Sequence, residues 1–374
     1  MKLEIGFIKL LIHYFTMDNK IINAIEKLIR AGLDKEKINE TIQNDEFDEL
    51  FSIAKARIHN KKIENNNLIF NEEDLRFATN SLVAKYRAKR LKCKTLLEIG
   101  AGIGIQTIEF AKTCDKVIAI EKDKRKFNYL KLNLEIANVK NVELINKDVF
   151  KVIDELGFDN VFCDPEREES EKERTIESIK PNLEKLTGKI QDISIELPPQ
   201  IKLIPFECEK EYVSVDGRLN RLNVYLGKLK KNKISVIALP SEEMLTKEDE
   251  DFVKEKGHVR NYMYEIDKAV VKASLQRKIN ADGSMVTDEW ITSEDNIESP
   301  FFLNSFKVID HCEYDDEKII EILKKNKIGK TVIRAKLKPQ EYWDFRKKYE
   351  SKIKGQRIAH LLFLKGNVVI LEKI

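Results

Sequence analysis

The sequence of 374 residues is poor in the residues that build metal centres and disulfide frameworks. It has five cysteines and five histidines. The cysteines are scattered, no Cys-x-x-Cys pair occurs, and no Cys/His group has the spacing of a zinc site. We therefore predict no metal site, and we interpret the cysteines as free, buried thiols in a reducing compartment.

Long apolar runs are also missing. The most apolar N-terminal run, Ile5 to Phe15, is interrupted by Lys9 and His13. It is too short to span a bilayer and lacks the pattern of a signal peptide. We expect a soluble, cytoplasmic protein without a membrane partner.

A large excess of positive charge is absent as well. Charged residues make up 35% of the chain, but the net charge is only +3. This near balance argues against a broad basic surface, whereas a local basic groove is compatible with it. Three short basic runs are either phosphate contacts or ordinary solvated faces: Lys228–Lys231, Lys324–Lys327 and Arg346–Lys348.

A glycine-rich turn lies between a predicted strand and a predicted helix. The strand-like run Thr95–Leu97 leads into the segment Glu98–Gly104, and a helix-like stretch from Ile105 to Lys112 follows. Glycine allows positive φ and a close approach of the backbone to a ligand. The free N–H groups at a helix start favour negative charge. A turn of this kind suits a nucleotide-like ligand.

Acidic residues recur at the carboxyl ends of four successive predicted strands. The strands are Thr95–Leu97, Lys116–Ile120, Val142–Ile145 and Asp159–Cys163, and the acids are Glu98, Glu121, Asp148 and Asp164. A single acid of this kind would be interpreted as a cap or turn residue. Four acids in phase with the strands favour a ligand site, because open α/β sheets bind ligands outside these strand ends.

The spacing of the glycines separates two ligand classes. Dinucleotide folds carry Gly-x-Gly-x-x-Gly, whereas this chain carries Gly-x-Gly-x-Gly. Glu98 would repel a pyrophosphate, but it would attract the ammonium and sulfonium of S-adenosylmethionine (SAM). The pattern therefore favours SAM over NAD.

These residues resemble the motifs of the class I SAM-dependent methyltransferases. The resemblance implies that Glu121 binds the ribose, that Asp148 lies on the adenine side, and that Asp164-Pro165 is the catalytic-loop motif. Phe77 and Thr79 precede a predicted helix that enters the first strand, so they are candidates for cofactor or substrate contact, although Phe77 could equally be a core residue. The predicted cofactor-binding residues are Glu98, Gly100, Ala101, Gly102, Gly104, Glu121, Lys122, Asp148, Val149, Asp164, Phe77 and Thr79.

We predict an α/β fold in three parts: a helical N-terminal region over 1–75, a Rossmann-like class I methyltransferase core over 76–240, and an α+β domain over 241–374. In the core, helices alternate with strands, and a β-hairpin of residues 211–215 and 221–226 follows. The predicted helices are 105–113, 124–137, 149–155 and 173–186 in the core, a connector over 244–257, and 266–279, 315–325 and 339–350 beyond it. The predicted C-terminal strands are 306–309, 331–335, 360–364 and 367–371.

A narrower resemblance links the chain to methyltransferases that carry a C-terminal THUMP-like domain. It is carried by residues 74–91, 164–167, 212–217 and 262–265. The family loop usually reads Asp-Pro-Ala-Arg-Arg, and the present Asp-Pro-Glu-Arg-Glu departs at its third and final positions. The resemblance implies an RNA substrate. A more distant similarity to RNA cap guanine-N2 methyltransferases implies a guanine exocyclic amine as one acceptor.

Asp164, Pro165 and Arg167 are the predicted catalytic residues. Asp164 could accept a hydrogen bond or a proton from an amine, and Arg167 could stack on a base, grip a phosphate or pair with a nearby glutamate. The leading hypothesis is a SAM-dependent RNA methyltransferase. A methyltransferase that acts on a protein or small molecule and a non-catalytic RNA-binding protein with a vestigial SAM fold are the alternatives. The oligomeric state is open.

Overall fold

The computed structural model describes residues 19–166, 175–201, 203–335 and 337–374. The contacts divide the chain into two compact units. The first extends to Glu196 and takes in Leu226–Leu229, and the second contains Leu197–Tyr225 and Lys230–Ile374. The predicted run Ile5–Phe15 and the predicted catalytic Arg167 lie outside the described residues.

The helices begin in the N-terminal region and continue through both units. In chain order they are α1 (19–30), α2 (Lys35–Ile42), α3 (Phe47–His59), α4 (Glu72–Phe77), α5 (Ser81–Arg90), α6 (Ile105–Thr113), α7 (Lys124–Ile136), α8 (Leu183–Lys189), α9 (Lys268–Ala273), α10 (Asp316–Lys325) and α11 (Pro339–Glu350).

The strands of the first unit are β1 (Thr95–Ile99), β2 (Lys116–Ile120), β3 (Val142–Ile145), β4 (Asn160–Cys163) and β5 (Ile193–Leu197). Those of the second unit are β6 (Glu209–Val215), β7 (Arg218–Tyr225), β8 (Ile234–Leu239), β9 (Glu243–Thr246), β10 (Tyr262–Ile266), β11 (Ser284–Thr287), β12 (Trp290–Ser293), β13 (Phe302–Glu313), β14 (Ile328–Arg334), β15 (Arg357–Leu364) and β16 (Asn367–Lys373).

The strands of the first unit form a parallel sheet in the order β3-β2-β1-β4-β5. The order reverses between β1 and β4, so the carboxyl ends of these two neighbours flank the crevice where open α/β sheets bind ligands. An apolar cluster from α1, α2 and α3 includes Ile22, Ile38 and Phe47, and Tyr129 and Ile136 of α7 pack against it. The predicted helical N-terminal region is therefore attached to the parallel sheet through α7.

The second unit holds two groups of strands. In the first group, β6 and β7 form the predicted hairpin, β6 also pairs in parallel with β8, and β8 pairs with β9. The second group is a seven-stranded sheet in the order β11-β12-β10-β13-β16-β15-β14, with β14 and β15 parallel. Helix α9 contacts β6, β7 and β8, and for this reason residues 197–225 and 230–239 group with the C-terminal part. The domain boundaries at 75 and 240 stay predictions.

Several predicted helices differ from the structure. The connector predicted over 244–257 contains β9, because Met244 pairs with Ile237 of β8 and this pairing outweighs the polar local composition. Of the helix predicted over 173–186, residues 173–174 lie outside the described residues, and among the others the helix begins at Leu183, after its cap Asn182. The segment 149–155 forms two short 3₁₀ turns. The helix predicted over 266–279 ends at Ala273, because the next residue turns into the left-handed region.

Candidate active site

The glycine turn after β1 is built on positive φ angles. Gly100, Gly102 and Gly104 have φ values of 77°, 55° and 91°. The N–H groups of Gly100 and Ala101 both donate to the Ile120 carbonyl of β2, at 3.0 Å. These bonds fix the start of the turn against the neighbouring strand, and Gly104 then begins α6.

The three glycines are required for different reasons. A Cβ on Gly100 would lie 2.3 Å from the Asp164 carbonyl oxygen, and one on Gly104 would lie 2.6 Å from Leu130 Cδ1. A Cβ on Gly102 would meet no atom within 4 Å. Gly100 therefore allows the turn to pack on the loop after β4, whereas Gly102 borders open space that a ligand can enter.

Glu98 is a buried acid with an unmatched oxygen. Its residue is 1% exposed, and within the described part of the chain its Oε2 atom has no hydrogen-bond partner. Burial, reinforced by the nearby Asp164 carboxylate, raises the pKa of Glu98 to about 8, and the Thr107 hydroxyl and the Arg87 charge partly offset this increase. A cation that reaches this oxygen would therefore be stabilised by it.

Arg87 of α5 is buried beneath the glycine turn. Its guanidinium donates to Gln106 Oε1 at 2.9 Å and to Glu196 Oε2 at 2.5 Å, and it lies 4.4 Å from the Phe162 ring centroid. Gln106 in turn donates to the Ala84 carbonyl. Arg87 thus joins α5, α6, β4 and β5 behind the site, a role that its place on a basic helix did not reveal.

Glu121 at the end of β2 holds the middle of the glycine turn. Its Oε2 accepts from the Gly102 N–H at 2.8 Å and its Oε1 accepts from the Asp123 N–H at 2.7 Å. Burial raises the pKa of this carboxyl above its ordinary value, and the two N–H donors act in the opposite direction. Each carboxylate oxygen has a second lone pair that can accept from a ligand hydroxyl.

Asp148, Val149 and Lys122 lie together after β3 and β2. Asp148 accepts from the Phe150 N–H at 3.0 Å, and its Oδ2 lies 3.5 Å from Lys122 Nζ. Val149 is buried, whereas Lys122 is exposed. A polar acid beside a buried valine matches the needs of a heteroaromatic ring, which has apolar faces and polar edges.

The Asp164-Pro165 loop continues directly from β4. The Asp164 N–H donates to the Ile99 carbonyl at 3.0 Å, so the loop starts beside Gly100. Glu166 forms a 2.5 Å ion pair with Lys126 of α7, and its backbone pairs with Lys180. The loop is therefore fixed at Asp164 and again at Glu166. The sequence did not indicate the contact with Lys126.

Phe77 and Thr79 flank a contact between α4 and the glycine turn. Ala78 shares an apolar cluster with Ala101 and Ile103. Thr79 is buried, and Phe77 is 49% exposed with the Arg76 guanidinium 4.4 Å from its ring centroid. Phe77 is thus a surface aromatic next to the turn and not a core residue.

Helix α4 is held in place by an ion pair. The side chain of Asp74 is buried, and it accepts two 2.9 Å hydrogen bonds from the Arg125 guanidinium of α7. A bidentate pair of this kind restricts orientation as well as distance. It therefore positions the segment that carries Phe77, Ala78 and Thr79.

Among the described residues, no group of three or more His, Cys, Asp or Glu side chains is arranged to hold a metal ion. No helix in the same part of the chain is both long and apolar enough to cross a membrane. The cysteines of the described chain are free thiols, and Cys93 is the one that is not buried.

Comparisons with known proteins agree with the parallel sheet and its glycine turn. The family described as Ribosomal RNA adenine dimethylase matches residues 58–156. A probable ribosomal RNA small subunit methyltransferase A from Methanosphaera stadtmanae is 48% identical over 59 residues, which are 16% of this chain and 22% of that protein. Its counterpart from Thermococcus sibiricus is 44% identical over 66 residues, 18% of this chain and 23% of that protein.

A solved structure resembles nearly the whole chain. A candidate methyltransferase from Porphyromonas gingivalis W83 aligns with a TM-score of 0.72 at 16% identity, over 95% of this chain and 98% of its own. At this identity the likeness shows the fold alone. At 95% coverage it extends over both compact units.

The chain therefore has the fold of the class I SAM-dependent methyltransferases, and the matched segment includes its glycine turn. The predicted α/β fold is confirmed. The matched segment supports the predictions of an enzyme and of SAM as its cofactor, which are part of the proposed function. The chain spans less than a quarter of the length of the two ribosomal RNA methyltransferases described above. The THUMP-like character of the C-terminal part and the roles of the individual site residues stay predictions.

Proposed function

We propose that this protein transfers a methyl group from SAM to an exocyclic amine of an RNA base. The observation that carries the proposal is the buried, unmatched Oε2 of Glu98 beside a glycine turn that opens onto free space at Gly102. The names of the matched family and relatives support RNA as the acceptor.

The residues around the turn fit the parts of SAM. Glu98 would hold the cationic amino acid portion, because its unmatched oxygen lacks a donor that an ammonium group supplies. Glu121 would accept from the ribose hydroxyls with its remaining lone pairs. Asp148 and Val149 would flank the adenine, and Lys122, Ala101, Phe77 and Thr79 would complete the surroundings.

Asp164 would act on the acceptor. SAM supplies an electrophilic methyl group on its sulfonium, and transfer breaks the S–C bond while an N–C bond forms. Asp164 begins the loop beside Gly100, so its carboxylate could accept a hydrogen bond from the attacking amine and orient the nitrogen lone pair. The proton that the amine loses would pass to Asp164 or to water. Pro165 would keep Asp164 out of helical backbone geometry.

Two bases are candidates for the acceptor. Adenine is favoured by the name of the family that matches residues 58–156. Guanine is favoured only by the distant resemblance in the sequence. The match ends before Asp164, so the loop that would face the base lies outside it. We therefore propose adenine as the acceptor, with guanine as the second candidate.

Mass spectrometry of nucleosides tests the proposal. Total RNA from cells that lack the protein would be incubated with the purified protein and deuterated-methyl SAM, then digested. We expect labelled N6-methylated adenosine, and labelled N2-methylguanosine would support the second candidate. Transfer to protein or small molecules with none to RNA would refute an RNA substrate. The predicted cytoplasmic location is part of the same proposal.

A further inference from the structure

The C-terminal part of the chain carries a local charge excess that the total charge hides. Residues 324–365 contain fourteen Lys and Arg but only three Asp and Glu, a net charge of +11 in a chain whose net charge is +3. The remainder of the chain is therefore acidic overall. Such a division of charge identifies a candidate surface for a polyanion.

The fold gathers part of this charge at one end of the seven-stranded sheet. The parallel strands β14 and β15 begin side by side, with Ile328 paired to Arg357. Helix α10 ends just before β14, and α11 ends just before β15. The loops that follow the two helices touch, because the Arg357 N–H donates to the Lys327 carbonyl and a Cβ on Gly355 would lie 1.9 Å from that oxygen.

Five exposed lysines come from these helix ends and loops. We call this set the lysine end, and it consists of Lys324, Lys325, Lys327, Lys352 and Lys354. None of the five has an ion pair with an acid in the described chain. The neighbouring acids are engaged elsewhere, since Glu372 pairs with Arg357 at 2.7 Å and Glu350 pairs with Arg346 at 2.8 Å.

Helix dipoles explain the presence of only some of the lysines in the lysine end. Basic residues in the last turn of a helix offset the negative end of its dipole, and this accounts for Lys324 and Lys325 of α10. Lys327, Lys352 and Lys354 lie beyond the helix ends. Holding these like charges together costs free energy that a bound anion would recover.

We propose that the lysine end binds the phosphate backbone of the RNA substrate. The assignment of RNA rests on the function proposed above, and the site itself rests on the charge and its placement. Flexible, solvated ammonium groups suit a repeating phosphate chain, because they contact point charges without reading a base. We therefore expect this surface to contribute affinity and salt dependence and little sequence preference.

A matched pair of triple variants tests the inference. The test variant is Lys327→Ala, Lys352→Ala and Lys354→Ala. The control is Lys247→Ala, Lys256→Ala and Lys272→Ala, which removes the same charge from exposed lysines of the same unit. Binding of a fluorescein-labelled 20-nucleotide oligouridylate would be measured from 50 to 300 mM KCl. Loss of three phosphate contacts should lower the slope of log K against log salt by about two.

The outcomes separate this inference from the proposed function. We expect at least tenfold weaker RNA binding at low salt for the test variant, wild-type binding for the control, and unchanged SAM affinity for both. An equal loss of RNA affinity in both variants would overturn the assignment of RNA binding to the lysine end, because net charge alone would then explain the effect. Unchanged binding in the test variant would overturn it too, while methyl transfer to RNA would still stand. A wild-type protein that does not bind the oligouridylate would also overturn the lysine end, whereas the proposed function fails only if the nucleoside experiment shows no methyl transfer to RNA.

Discussion

The acidic edge of the first unit, formed by Glu98, Glu121, Asp148 and Asp164, and the lysine end of the second unit hold ionisable groups in opposite physical settings. Glu98 and Glu121 are buried. Both carboxylate oxygens of Glu121 accept from backbone N–H groups, whereas Oε2 of Glu98 has no hydrogen-bond partner in the described chain. The lysines at the ends of α10 and α11 are exposed and solvated. Burial makes each charge expensive unless it is matched, whereas exposed charges are screened by salt and individually weak.

This difference predicts different responses to mutation. At the acidic edge, a single substitution should produce a large effect that salt hardly changes. At the lysine end, one substitution should be nearly silent, and only a group of substitutions should weaken binding. The three predictions that follow test the acidic edge and the glycine turn beside it, from the largest expected effect to the smallest.

Asp164→Ala should remove most methyl transfer. Loss of a group that orients or deprotonates the acceptor typically costs about 10²–10⁴ in rate, whereas SAM affinity should stay within a few-fold of wild type. Single-turnover transfer and calorimetry with SAM would measure the two effects separately. Full transfer by the variant on its natural RNA would show that the loop after β4 is not the catalytic loop.

Gly102→Val and Gly100→Ala should have different effects, the first on SAM binding and the second on stability. Valine at Gly102 would enter the open space at the turn, so SAM binding should be lost while the fold is retained. Alanine at Gly100 would collide with the Asp164 carbonyl oxygen, so the free energy of unfolding should fall by about 2–4 kcal/mol from overpacking and left-handed strain together.

Gly102→Ala is the control for backbone strain, because its φ is also positive and its Cβ meets no atom. It should cost only about 1–2 kcal/mol. Urea unfolding of the three variants would measure these differences. Equal destabilisation by alanine at both positions would contradict the distinction between the two glycines.

Glu98→Gln should change how stability depends on pH. Folded wild type keeps the Glu98 proton up to about pH 8, whereas the unfolded chain releases it near pH 4.5. The folded state therefore binds more protons between these values, and raising the pH lowers the free energy of unfolding by up to about 1.4 kcal/mol per unit. The variant lacks this contribution, so its stability relative to wild type should rise from pH 5 to pH 8. A constant difference would mean that Glu98 is charged in the free protein.

The parts of the structure that the sequence predicted depend on local rules. The strands at 116–120 and 142–145 match the structure residue for residue, because short apolar runs end at turn residues in a regular α/β alternation. The glycine turn was predictable for the same reason. Positive φ, helix capping and the phase of the acids are all determined within a few residues.

The parts that could not be predicted depend on distant partners. Gly100 is required because the loop after β4 passes it, 64 residues later in the chain. The Asp74–Arg125 and Lys126–Glu166 ion pairs join separate elements, and β9 exists through its pairing with β8. The run Lys324–Lys327 was a candidate in the sequence, but its meeting with Lys352 and Lys354 was not predictable, because parallel pairing of β14 and β15 brings the two loops together.

Proton release on SAM binding tests the central claim, that a buried and unmatched carboxylate receives the cationic cofactor. Calorimetric titrations at pH 7, in buffers of different ionisation enthalpy, count the protons. Wild type should release close to one proton per SAM, because Glu98 with a pKa of about 8 is mostly protonated before the cation arrives. Glu98→Gln should release none and should bind at least tenfold more weakly. Binding of SAM by wild type without proton release would contradict the account.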